Sequence, residues 1–104
     1  LLMDAPAFPG CVVESRLIGV IEGEQTEKGE RVRNDRLIAV ATRSHQHSDL
    51  RDISQLNSTF VKDIGEFFAN YHRLRGSEFK VLAVRGPKSA ERLLKRASRN
   101  RRAA

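Results

Sequence analysis

Three groups of side chains in this 104-residue chain have types and spacings suited to chemistry. The first is a run of carboxylates: Glu22, Glu24, Glu27, Glu30 and Asp35. Clustered carboxylate oxygens suit a hard cation such as Mg²⁺, which keeps several of its waters. Lys28, Arg31 and Arg33 are interspersed among them, so a solvated hairpin with mutually paired charges accounts for the same residues. The second group is His72 and Arg73, which follow the aromatic residues Phe60, Phe67, Phe68 and Tyr71. They can bind a phosphate through charge-assisted hydrogen bonds. A helix end whose basic residues complement the helix dipole is the simpler alternative. The third is the segment from Lys88 to Arg102. It holds seven basic residues (Lys88, Arg92, Lys95, Arg96, Arg99, Arg101, Arg102) against one acid, Glu91. Seven minus one equals the formal charge of the whole chain, +6. Such a concentration is either a polyanion contact or a solvated, frayed helix end. Without interleaved aromatics, it does not point to sequence-specific reading of nucleic acid.

Other candidates are weaker. His45 and His47 lack the further ligands a zinc site needs, and a solvated loop is the better reading. Cys11 lies beside Val12 and Val13 and reads as a buried, inert thiol. No glycine-rich phosphate loop, nucleophile elbow or paired-cysteine pattern is present.

The chain is long enough for one small domain, residues 1–104, with a basic helical tail over 88–104. Hydrophobic residues make up 39% and charged residues 31%, so the core must be modest. No apolar run approaches the ~18 residues that span a bilayer. One cysteine excludes an intrachain disulfide and suits a reducing, cytoplasmic compartment.

The elements that position these groups follow from periodicity. Asp4 to Gly10, with Pro6 and Pro9, reads as extended. Gly10 to Glu22 alternates with period two and reads as a strand, apolar on both faces in its second half. Gly23 to Asp35 reads as a long hairpin loop and Arg36 to Ala41 as the return strand. Thr42 to Gln55 reads as a surface loop, with Asp52 and Gln55 spaced for a capping box. Asn57 to Leu74 is the strongest helix signal, its apolar face formed by Phe60, Val61, Ile64, Phe67, Phe68 and Tyr71. Glu78 to Val84 alternates as a third strand, and Gly86-Pro87 opens a last helix. The expected class is α+β, a long β-hairpin plus one further strand with two packed helices.

Three stretches together resemble the family I soluble inorganic pyrophosphatases. They are Leu2-Met3-Asp4 through Phe8-Pro9-Gly10-Cys11 with Arg16-Leu17-Ile18-Gly19-Val20-Ile21, then Arg36-Leu37-Ile38-Ala39-Val40, then Phe67-Phe68-Ala69-Asn70-Tyr71-His72-Arg73-Leu74. The resemblance covers essentially all of this chain but about the last 60% of a family domain. It implies a partial OB-like β-barrel with helices outside it, and Mg²⁺-dependent splitting of diphosphate into two phosphates.

Carried over residue by residue, the resemblance implies a depleted site. The family's Asp-x-Asp-Pro-x-Asp metal run would lie upstream of Leu2. Its later Asp-Glu pair falls on Gln25 and Thr26, and its Asp-x-Lys falls on Asn34, Asp35 and Arg36. The candidate metal residues are therefore Asp35 and Asn34, and Mg²⁺ is the implied cofactor. The candidate phosphate-binding residues are Arg36, Tyr71, His72 and Arg73, where the family has Tyr-Lys at the position of Tyr71-His72. Diphosphate or phosphate is the implied ligand. The expectation is a truncated relative, weakly active or inactive by itself. The alternative is a non-enzymatic anion-binding or scaffold module. Uncovered strand edges lead us to expect a homo-oligomer.

Overall fold

A computed structural model describes residues 1–5 and 7–103, and leaves the side chains of Arg102 and Ala103 undescribed. The expected extended run through Pro6, and the last residue of the basic tail, Ala104, lie partly or wholly outside the described residues. The strands are β1 (Ser15–Glu27), β2 (Glu30–Arg33), β3 (Arg36–Ala41) and β4 (Glu78–Arg85); the α-helices are α1 (Ser58–Leu74) and α2 (Pro87–Ala103).

β1 starts later and runs further than its apolar alternation predicts, and among the described residues the strands number four rather than three. Cys11 consequently lies before the sheet, half-buried, and not within a strand. The expected long loop over 23–35 is mostly sheet. β1 and β2 join through Lys28 and Gly29 alone, with φ of 51° and 82°. Two successive positive φ angles match the right-handed twist of a two-residue hairpin. The lysine at the first of these positions concealed the turn.

The sheet is antiparallel and built on β1. Glu24 pairs with Arg33 of β2 and Lys80 of β4, while Val20 pairs with Leu37 of β3 and Arg85 of β4. β2 and β3 therefore share one edge of β1, and β4 takes the other. Among the described residues the sheet is open, so the expected OB-like barrel is not closed by these strands. A parallel bridge between Leu2 and Val40 adds a short contact at β3.

The core forms where β1 bulges. The register slips between Leu17 and Gly19, which makes Ile18 the extra residue. Ile18 then joins Ile21 in one buried cluster with Ile38, Val40 and Ile53. An unbroken period of two would set Ile18 and Ile21 on opposite faces. Each such side chain contributes roughly 1.5–3 kcal/mol on full burial. Asp52 and Gln55 form the expected capping box around a single 3₁₀ turn, Ile53–Gln55, which delivers Ile53 to this cluster.

α1 is capped by Asn57, whose side chain accepts from the Thr59 N–H. Its inward face is turned by about one residue from the expected one. Gly65 and His72 are buried, with Val61 and Ile64 packed on the core. Phe67 is 62% exposed and Tyr71 also faces out. Gly65 explains the rotation, because a Cβ there would stand 3.2 Å from Val81, so the helix approaches β4 where it has no side chain.

Gly19 tests this packing. A Cβ there would lie 2.6 Å from the Arg85 carbonyl oxygen and 2.6 Å from Ile53. Gly19→Ala should lower the unfolding free energy by about 1–3 kcal/mol through overpacking. Urea titration of both proteins measures it, and an unchanged midpoint would contradict the bulge geometry.

Candidate functional site

Arg36 and His72 meet inside the protein. Arg36 opens β3 and His72 lies in the last turn of α1. An Arg36 Nη2 N–H donates to His72 Nε2 at 2.7 Å. That bond requires a neutral imidazole, so Nδ1 carries the proton and donates to Ser77 Oγ at 3.1 Å. The Ser77 hydroxyl in turn donates to the His72 carbonyl. Gly76, at φ 83°, turns the chain so that the Ser77 N–H also reaches this carbonyl. His72 is only 5% exposed and stacks on Phe79 at 5.2 Å. The Arg36 guanidinium lies 5.0 Å from the centre of the Phe68 ring and 5.9 Å from that of Phe79. Burial, then the charges of Arg36 and Arg75, hold the His72 pKa below its usual value, opposed by Glu27.

The other two expected phosphate ligands sit elsewhere. Tyr71 meets His72 edge-on, with its other surroundings formed by Phe67 and the Arg75 guanidinium, 4.9 Å from its ring. Arg73 bonds the side-chain oxygen of Asn70 and lines a cleft of about 610 Å³ with Arg31 and Lys80. Arg36 and His72 are thus brought into contact, Tyr71 is adjacent, and Arg73 faces a different space.

The two expected metal ligands both make hydrogen bonds within the chain. Asn34 Nδ2 donates to Gln25 Oε1 at 2.7 Å. Asp35 Oδ1 accepts from the Gly23 N–H at 3.0 Å and from the Arg33 guanidinium at 3.0 Å. That pairing also raises the Arg33 pKa above its ordinary value. Glu22 lies between two arginines, bonded to Arg85 at 2.7 Å and 3.4 Å from Arg33.

The model of the inorganic pyrophosphatase family matches residues 1–102. The chain belongs to this family. Relatives named inorganic pyrophosphatase include one from Geobacillus stearothermophilus, 32% identical over 89 residues, covering 86% of this chain and 52% of the relative. One from Synechocystis is 31% identical over 94 residues, covering 90% and 52%. Soluble inorganic pyrophosphatase 2 of Chlamydomonas reinhardtii is 32% identical over 95 residues, covering 91% and 47%. The chain spans about half the length of the curated relatives it matches.

The Mg²⁺ that this family implies does not fit the side chains present. No group of three or more His, Cys, Asp or Glu converges among the described residues. Asn34 and Gln25 are neutral amides bonded to one another, and Asp35 is neutralised by Arg33. His45 and His47 likewise belong to no such group among the described residues.

Three contributors escaped the sequence reading. Asp4 accepts from Ser44 Oγ at 2.8 Å and from the His45 N–H at 2.6 Å, which ties the start of the chain to that loop. These bonds hold the Asp4 pKa below its usual value. Ser77 fixes the His72 tautomer, and Gln25 fixes Asn34. The Gly76-Ser77 pair after a helix end was the one available signal, since a positive-φ glycine there returns the next N–H to the last turn.

His72 gives this site a pH dependence. The fold favours the neutral ring, so stability is complete above the ordinary histidine pKa of 6.5. Below that pH the unfolded chain takes up a proton that the folded chain resists, and stability falls until the lowered folded pKa is passed. Denaturant midpoints between pH 8 and 5 should therefore decrease with acidity, and His72→Gln should flatten the dependence. A midpoint that rises on acidification across this window contradicts the neutral Arg36–His72 contact.

Proposed function

We propose that this chain is the C-terminal part of a pyrophosphatase-family fold and does not by itself run the family's Mg²⁺-dependent hydrolysis of diphosphate. The Asn34–Gln25 hydrogen bond carries this reading. Two neutral amides stand where the resemblance places carboxylates, and the Asn34 NH₂ bonds the Gln25 side-chain oxygen. A multi-metal hydrolase needs convergent anionic oxygens to hold its ions and lower the pKa of bound water. The half-length match to the relatives supports the same reading, and the open sheet is taken as part of an OB-like barrel.

The phosphate set is retained in reduced form. The Arg36 Nε is buried with no hydrogen-bond partner among the described residues, so the guanidinium keeps unmet donor capacity beside the His72 contact. Neutral His72 has both ring nitrogens engaged, leaving Tyr71 and Arg73 as surface contacts. This arrangement supports weak capture of phosphate or diphosphate without a clamp for cleavage.

A second, non-enzymatic reading is favoured by α2, whose basic residues from Lys88 to Arg101 are exposed and suit a polyanion. Self-association is favoured by α1. Phe60, Phe67, Tyr71 and Leu74 line an outer stripe, and Leu74 is 86% exposed. No helix among the described residues is long and apolar enough to cross a membrane. The single cysteine suits a cytoplasmic setting.

Phosphate release from diphosphate with excess Mg²⁺ tests the main reading. The expected rate is far below ~1 per second, and turnover at that rate or faster would overturn it. Sedimentation velocity tests the α1 stripe. A dimer or larger species is expected, dissociated by Phe67→Glu, whereas a monomer at all concentrations removes the proposal.

A further inference from the structure

α2 is attached to the body only by its first half. Ala90 is fully buried and Leu93 half-buried, while every residue from Leu94 to Arg101 is exposed. At about 100° per residue, Lys95, Lys88, Arg99, Arg92 and Arg96 all fall within one arc of roughly 100°. Leu93, Ala97, Ala90 and Leu94 occupy the opposite arc. All five basic side chains are exposed, and none is in an ion pair among the described residues. The stripe also continues onto the sheet. Arg92 and Arg96 line a cleft of about 420 Å³ with Arg33 and Arg85, whose carboxylate partners Glu22 and Asp35 are already paired.

This stripe destabilises its own helix. Lys88–Arg92, Arg92–Arg96 and Lys95–Arg99 are like-charge neighbours four residues apart. Glu91–Lys95 is the favourable pair at that spacing. With nothing packed against the second half, an anionic surface would relieve the repulsion and hold the helix.

We propose that the Lys88–Arg99 face of α2 docks along the phosphate backbone of a nucleic-acid duplex without reading its sequence. The proposal rests on the polyanion reading above and names its partner. From Lys88 to Arg99 the helix rises about 16 Å. A duplex carries one phosphate charge per about 1.7 Å of its axis, so that length lies beside enough phosphates of the two strands to face all five basic side chains. Three of the five residues are arginines, whose planar forks grip phosphate oxygens bidentately. A lipid surface fits less well, because an interfacial helix needs a bulky apolar face and Ala90 is already committed to the body. An acidic protein would need a buried apolar anchor, and the exposed apolar residues left on α2 are Leu94 and Ala97. The absence of aromatics on α2 agrees with backbone docking over base stacking.

The test is fluorescence anisotropy of a labelled 20-base-pair DNA duplex with the full chain at 50–200 mM NaCl. Five phosphate contacts give a slope of log K against log salt near −4.5, or roughly a 500-fold loss over this range. The triple variant R92Q/R96Q/R99Q should reduce the slope to about −2 and the loss to about tenfold. Arg101→Gln, on the opposite arc, should leave the slope unchanged, and a loss per charge equal to that of the stripe variant overturns the assignment. Far-ultraviolet circular dichroism should show a gain in helix on binding by the parent chain. Inorganic polyphosphate separates the two readings. Binding to it without binding to the duplex overturns the nucleic-acid assignment and leaves the polyanion reading standing; binding to neither ends both.

Discussion

Among the described residues every strand in this protein pairs with β1. β2, β3 and β4 are held together through it, so its shape is the constraint on everything else. Two register slips mark its ladders: at Leu17/Gly19 the extra residue is Ile18 of β1, and at Glu22/Gly23 it is Leu82 of β4. Both glycines are buried where another residue occupies the space of a Cβ: Ile53 and the Arg85 carbonyl at Gly19, the Phe79 ring at Gly23. The first slip turns Ile18 into the cluster with Ile21. At the second, the N–H of Gly23 is bonded by Asp35. Core packing and the candidate site therefore share one cause, the path of a single strand.

The same strand sets the electrostatics of the site. It places Gln25 against Asn34 and Glu22 between Arg33 and Arg85. Two carboxylates in place of the amides would repel unless a cation lay between them. Two amides need no cation, since one donates what the other accepts. The nearby acids are neutralised by arginine in the same way. The chain belongs to the family, and the positions where the resemblance expects carboxylates hold amides, as can arise when function resides in the site and not in the scaffold.

Much of the fold was legible because local rules and tertiary packing agreed. The Asp52–Gln55 capping box, the Asn57 cap, β3 and the Pro87 helix start all stand where their residues indicate. Legibility failed where burial was decided by a partner. Glu22 to Glu27 carry polar groups that pair on both edges of β1, so no alternation marked them as strand. The α1 face was misread by one position because Gly65 and His72 do not count as apolar, yet they are what the helix buries. The Gln25–Asn34 bond depends on the register of β1 against β2, which depends on a lysine adopting positive φ. Arg36 and His72 were legible as site residues, but their mutual contact, 36 positions apart in sequence, required the tertiary structure.

The charge distribution separates fold from surface. The sheet pairs several of its charges internally: Arg31 with Glu24, Arg33 with Asp35 and Glu22, and Arg85 with Glu22, while Arg36 donates to the neutral ring of His72. The helix that follows does the reverse and carries the chain's entire excess of positive charge. Burial of Ala90 and Leu93 is enough to seat its first turns, and the basic stripe adds repulsion without adding packing. Exposed like charges at three- and four-residue spacing cost helix stability, so they are not explained by the needs of the fold. They are explained by a surface that α2 presents outward. The site and the stripe thus stand in contrast: among the described residues the first leaves the Arg36 Nε as its one buried side-chain polar atom without a partner, and in the second none of the five charges is paired with an opposite one.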